Sequence, residues 1–126
     1  MRSKKDILGV ACSGLCMFHC LNLPIFAAAS ISSTGLVYFF SESTHSWLNT
    51  LMILMAIWTF PNGWRTHKVT WPSLLALIGV GLMIMAAKVP ESDEFYWVMA
   101  SGVSFISAHL LNRHLLIMNN IEWIKT

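Results

Sequence analysis

Charge is scarce in this sequence. Only 11% of its 126 residues are Asp, Glu, Lys or Arg, against 56% hydrophobic, and the mean hydropathy is +0.61. A soluble domain carries about 25% charge. This chain has too little to clothe a water-facing surface, so an integral membrane protein is expected, with nothing left over for a soluble domain. The net charge of +2 is too weak for the basic footprint of a nucleic-acid binder. Cysteine is confined to one apolar stretch, as Cys12, Cys16 and Cys20, and none follows; that is not the spread of a secreted disulfide framework. No Ser/His/Asp arrangement, phosphate loop or paired intramembrane carboxylates can be found, and the acids fall at span ends or in loops, so no enzyme is expected. Internal repeats and low-complexity segments are absent as well.

What is present is a series of apolar runs near the ~20 residues that a bilayer-crossing helix needs. Four spans are predicted within a single transmembrane domain covering residues 1–126: 7–29, 46–64, 71–87 and 95–112. Pro24 is a candidate kink in the first, and Ser30 to Gly35 reads as a broken helix end. Pro61-Asn62-Gly63 reads as the stop of the second. Thr70 suits an N-cap and Pro72 an early helical position for the third, which Lys88-Val89-Pro90 ends. Ser92-Asp93-Glu94 suits the N-terminus of the fourth, with Phe95-Tyr96-Trp97 as an interfacial anchor. The tail 115–125 either extends the fourth helix or lies along the membrane surface. A removable signal peptide is the alternative for the first run, with Lys4-Lys5 ahead of it and Ala27-Ala28-Ala29 as a small-residue cleavage site. The run is longer than a usual signal core and contains Cys, His and Asn, which favours an intact span.

Lys and Arg set the orientation. Arg2, Lys4, Lys5, Arg65, Lys68, Arg113 and Lys125 fall on one side, which leaves Lys88 with Glu42, Glu91, Asp93 and Glu94 on the other. The positive-inside rule puts the first side, with both termini, in the cytoplasm. The expected fold is therefore all-α, an integral membrane four-helix bundle with cytoplasmic termini.

The stretch "ACSGLCMFHC", residues 11–20, carries the chemistry. At about 100° per residue, Cys16 falls about 40° and Cys20 about 80° round from Cys12, and His19 about 20° to the other side. The four side chains share a stripe roughly 100° wide, with the sulfurs stacked about 6 Å apart. Thiolate and imidazole suit soft and borderline cations such as Hg(II), Zn(II) and Cu(I). Successive pairs one turn apart suit transit better than storage, because a closed structural zinc site wants four ligands. The alternative is a packing seam of small residues, Gly9, Cys12, Ser13 and Cys16. His19 tips the balance to metal handling, since an ionisable residue inside a span is costly and by default functional.

The other histidines are placed by depth. His45 precedes the second span at the outer boundary, and His109 lies near the inner end of the fourth, at the level of Cys12. A path can be drawn from His45 through His19 and Cys20, then Cys16 and Cys12, to His109. For His109, a hydrogen bond to Asn112 on the next turn weighs equally with a ligand role. His67 and His114 read as solvated or headgroup-facing residues, Arg65 and Arg113 as headgroup anchors, and the methionines as lipid-facing or core filler.

Five segments taken in order, Lys5 to Gly9, Leu15 to Pro24, His45 to Leu48, Gly63 to His67 and Ala108 to Arg113, resemble the MerC domain family, small four-span bacterial inner-membrane proteins named from mercury resistance. The resemblance covers nearly the whole chain, and Cys16 to Pro24 and His109 to Arg113 are its most specific parts. It implies that Cys16 and Cys20, with His19 between them, bind a thiophilic metal that moves towards the cytoplasm. His45 and His109 match positions of the broader family. Mercury-operon members also carry cysteines near the cytoplasmic end, and this chain has none after Cys20. A metal-ion carrier in the bacterial inner membrane is the function expected, with membrane lipid and the metal ion as partners, and a bundle this small leaves a homodimer open. The alternatives are a haem- or metal-binding module without transport, using His19 or His45 with His109 as axial ligands, and a scaffold with no bound ion.

Overall fold

The computed structural model describes residues 2–28 and 41–125, with side chains at 4–22, 41, 43–44, 46–90 and 92–119. These residues form four helices and no strand: α1 Arg2–Ala28, α2 Glu42–His67, α3 Trp71–Ala86 and α4 Glu91–Lys125. The expected break at 30–35 lies outside the described residues.

The helices start earlier than the expected spans at α1, α2 and α4, and α2 and α4 also end later. α2 starts at Ser41, whose side chain accepts from the Thr44 N–H, as an N-cap oxygen should. It then runs through Pro61-Asn62-Gly63, the expected stop, to His67. A proline removes one backbone donor from a helix, but the helix continues through it, and Gly63 packs against the Asn112 side chain of α4. The helix ends at Lys68, whose backbone is left-handed (φ 58°) and whose N–H returns to the Trp64 carbonyl at 2.8 Å, the αL termination that glycine usually supplies. Thr70 sits at the N-cap position of α3 without a side-chain cap bond, and Pro72 occupies its first turn. α4 begins after Pro90 and continues unbroken through the tail to Lys125, which settles the 115–125 segment as helix.

Contacts along the helices give their directions. Met17 lies over Gly102 and Gly9 faces His109, so α1 and α4 are antiparallel. Cys16 bonds Asn49, and the Lys5 ammonium lies 4.0 Å from the Trp58 ring centroid, so α1 and α2 are antiparallel too. Ser101 and Ser104 donate to the carbonyls of Gly79 and Leu75 at 2.8 and 2.7 Å, clamping α4 antiparallel on α3. α4 packs most extensively on α3 and α1. Phe105 and Ala108, fully buried, sit at the centre of a core with Cys16, Met52, Ala56, Phe60, Ala76 and Val98. Met52, Met55 and Met83 are buried, as filler should be.

The up-down-up-down order gathers the start of α1, the α2–α3 turn and the C-terminal half of α4 at one end. Lys4, Lys5, Arg65, Lys68 and Arg113 lie there, and Lys88, Asp93 and Glu94 lie at the other. Large apolar side chains cover the outside, among them Phe18, Ile57, Trp58, Trp71, Leu77 and Val103. Among the described residues no helix is long and apolar enough to cross a membrane. The physical reason is local. The 16 residues of α3 span about 24 Å, short of a ~30 Å hydrocarbon core. The other helices interrupt their apolar runs with polar residues: Asp6, His19 and Asn22 in α1, Asn49, Thr59 and Asn62 in α2, His109 and Asn112 in α4.

Candidate functional site

Two buried polar regions lie along α1. The first is the sulfur face. Asp6, Gly9, Ser13, Cys16 and Cys20 are all buried, at alternating spacings of three and four that keep one stripe turned inward. Cys12 lies on the edge of that stripe and is only half-buried, packed against the core. Cys16 and His19 are each 1% exposed and Cys20 is 9%. The Cys16 thiol donates to Asn49 Oδ1 at 3.4 Å and has the Cys20 thiol as a hydrogen-bonding neighbour. His19 and Cys20 have further partners of their own. All three cysteines are free thiols. Among the described residues no three His, Cys, Asp or Glu side chains come together as a metal-holding group. Backbone register puts position 45 one turn before Asn49, level with Cys20; the side chain of His45 lies outside the described residues.

The second region closes the basic end. Asp6 and Asn112 are wholly buried and His109 is 1% exposed. His109 Nδ1 lies 3.1 Å from Asp6 Oδ1, and Asn112 Nδ2 donates to both Asp6 oxygens at 2.9 and 3.0 Å. A buried carboxylate is tolerable only when paired and hydrogen-bonded, and three donated bonds meet that need. The amide oxygen of Asn112 faces His67 Nε2 at 3.0 Å. His67 Nδ1 accepts from the Val69 N–H at 3.0 Å, so Nε2 carries the proton and donates to Asn112. The cluster thereby ties α1, α4 and the α2–α3 turn together. Two glycines make room for it. A Cβ on Gly9 would collide with the His109 ring, and a Cβ on Gly63 with the Asn112 amide. Phe60 covers the other side of His109, with ring centroids 4.7 Å apart.

Several expectations change here. Asp6 lies at the end of the first span, as expected of the acids, but it is wholly buried there rather than solvated. His109 takes Asp6 as its partner rather than Asn112, and Asn112 bonds the same carboxylate. His67, the last residue of α2, is half-buried and bonded to Asn112 and the Val69 N–H rather than solvated; His114 is exposed as expected. The first and fourth helices do touch, and Cys12 lies within one turn of the Gly9–His109 contact. Asp6 is the site residue that no sequence motif singled out. Its signal was its place on the stripe of Gly9 and Cys16, three and ten residues before them.

A family model described as MerC mercury resistance protein matches residues 6–114, a range that runs from Asp6 to His114 and so encloses both regions. No curated protein and no solved structure matches the chain.

Proposed function

The chain belongs to the MerC mercury resistance protein family, matched over residues 6–114, and on that premise we propose that it is a carrier embedded in the bacterial inner membrane for a soft or borderline cation, Hg(II), Zn(II) or Cu(I). Cys16 and Cys20 are the ligands, His19 stands beside them, and Cys12 is the next step inward. The observation that carries this reading is the burial of Cys16, His19 and Cys20 on the inward face of α1, the two cysteines outside any disulfide. Two thiols that lose their protons to water as they bind a divalent cation form a neutral bis-thiolate complex, which an apolar interior accepts far better than an isolated charge. A pair of sulfurs meets the demand of a two-coordinate soft ion, whereas zinc held structurally wants four ligands. Exchange to the Cys16–Cys12 pair, with the proton of the Cys12 thiol passing to the departing Cys20 thiolate, would move the ion one turn closer to the basic end with one sulfur always bound.

Membrane insertion with both termini cytoplasmic is supported by the apolar outer faces and by the collection of Lys and Arg at one end. His109 serves structure in this reading. Its Nδ1 is held by Asp6 and its ring is enclosed by Gly9 and Phe60, which favours a carrier over a bundle holding haem on that histidine. The test is metal titration with elemental analysis of the purified protein against Cys16→Ser/Cys20→Ser. The double variant should lose the stoichiometric ion. Unchanged stoichiometry and affinity would sink the proposal.

A further inference from the structure

We propose that Asn49 is a positioning residue for the cargo cation. Its amide holds the sulfur of Cys16, accepting from the thiol through Oδ1 and, turned over, donating an Nδ2 hydrogen to the same sulfur once the cation has replaced the proton. The inference rests on the reading of Cys16 as a metal ligand.

Asn49 brings α2 to the sulfur face. It is half-buried, and its Oδ1 takes the Cys16 S–H at 3.4 Å from 33 positions along the sequence. Two other helical asparagines behave differently. Asn22 and Asn62 turn their Nδ2 back to the carbonyls of Phe18 and Trp58 at 2.7 and 2.9 Å, one turn earlier, the local bond that a helix offers a short polar side chain. Asn49 forgoes it and directs its carbonyl at α1. Among the described residues its Nδ2 makes no bond, so both amide hydrogens are available. Cys16 is 1% exposed, so protein groups rather than water decide how its sulfur is held.

An amide suits both states of that sulfur. Binding a cation breaks the S–H bond, sends the proton to water and forms an S–metal bond. The sulfur thereby loses its donor and keeps only acceptor capacity. A carboxylate facing it would then repel it, and an alkyl side chain would offer it nothing. Asparagine carries an acceptor and two donors on one rotor, and a half-turn about its last bond exchanges them. Oδ1 is not itself a ligand for the cargo, because carbonyl oxygen suits hard cations such as Mg(II) and Ca(II) rather than soft ones. Cys16 is also the sulfur common to the Cys20–Cys16 and Cys16–Cys12 pairs, so the group that holds it steadies the ion while its second sulfur changes.

The test uses the full chain in detergent with Hg(II) alone as the probe, set against a competing dithiol. Asn49→Leu removes both halves of the amide. It should weaken Hg(II) binding about tenfold, the lower end of what partners behind a metal ligand contribute. It should also move the sulfur-to-mercury charge-transfer band to longer wavelength, because a sulfur that accepts no hydrogen bond gives up its electrons more readily. Asn49→Gln, which keeps the amide, should recover much of both. The infrared S–H stretch reads the contact without metal. In Cys12→Ser/Cys20→Ser protein, where Cys16 is the one thiol left, Asn49→Leu should raise its frequency. Asn49→Ala takes the same readings if Asn49→Leu does not fold. A merely structural role for Asn49 would lower Tm and leave the band and the stretch in place, and either one unmoved overturns the inference. Cys16→Ser/Cys20→Ser separates the two proposals. Loss of the ion there, with affinity and band unchanged in Asn49→Leu, removes this inference alone; an ion retained there removes the carrier reading and this one with it.

Discussion

Asp6→Asn is the most searching perturbation of the basic-end cluster, because it keeps the shape and removes the charge. The carboxylate receives three bonds, one from His109 Nδ1 at 3.1 Å and two from Asn112 Nδ2 at 2.9 and 3.0 Å. An amide presents one oxygen and one NH₂. The NH₂ must then face a donor, either the Asn112 amide or the His109 ring. One bond is lost outright and the others fall from charge-assisted to neutral. Bonds to charged groups contribute about 1.5–3 kcal/mol and neutral ones about 1 kcal/mol, so the loss should be about 3 kcal/mol, in the range for breaking a buried charged pair. Thermal unfolding in detergent, followed by far-UV circular dichroism, should show Tm lowered by about 10 °C at this chain length. A double-mutant cycle with Asn112→Ala isolates the pair, and the coupling should be at least about 1 kcal/mol. A loss under about 1 kcal/mol, or strict additivity, would refute the view that this cluster holds α1 to α4.

Other expectations follow from the same geometry. Gly9→Ala should cost about 1–3 kcal/mol through overpacking against the His109 ring, whereas Gly14→Ala, where an added Cβ meets nothing within 4 Å, should be neutral or stabilising by up to about 1 kcal/mol through helix propensity; equal Tm shifts for the two would contradict the packing described. His67→Ala removes the bond to Asn112 and the acceptor for the Val69 N–H, so stability should drop about 1–2 kcal/mol and amide exchange at 68–70 should accelerate. Cys12→Ala should retain the bound ion and slow its passage in a vesicle uptake assay; loss of binding itself would move Cys12 into the primary ligand set.

Helix and stripe were legible in the sequence because they depend on neighbours three and four residues apart. The inward placement of Cys16, His19 and Cys20 follows from about 100° per residue and one apolar face. The gathering of Lys and Arg at one end follows from an even number of antiparallel helices. Pro61-Asn62-Gly63 misled because a local breaker signal was weighed without the helix that packs on Gly63, and the tail was ambiguous because its pattern is mixed.

What the sequence determined by itself was the order of the four helices among the described residues and the sulfur face on α1. Only tertiary structure could decide the partner of His109, since Asp6 lies 103 positions away and no local period links them. It also decided that Asn112 joins Asp6 to His67 across three helices, and that Thr59 keeps a buried hydroxyl without a hydrogen-bond partner. Hydrophobic periodicity says which face of a helix turns inward. Which buried polar group meets which donor depends on how far each helix has slid and rotated against the next, and that is set by packing at places such as Gly9 and Gly63, where the absence of a side chain lets the helices come close enough for the bonds to form.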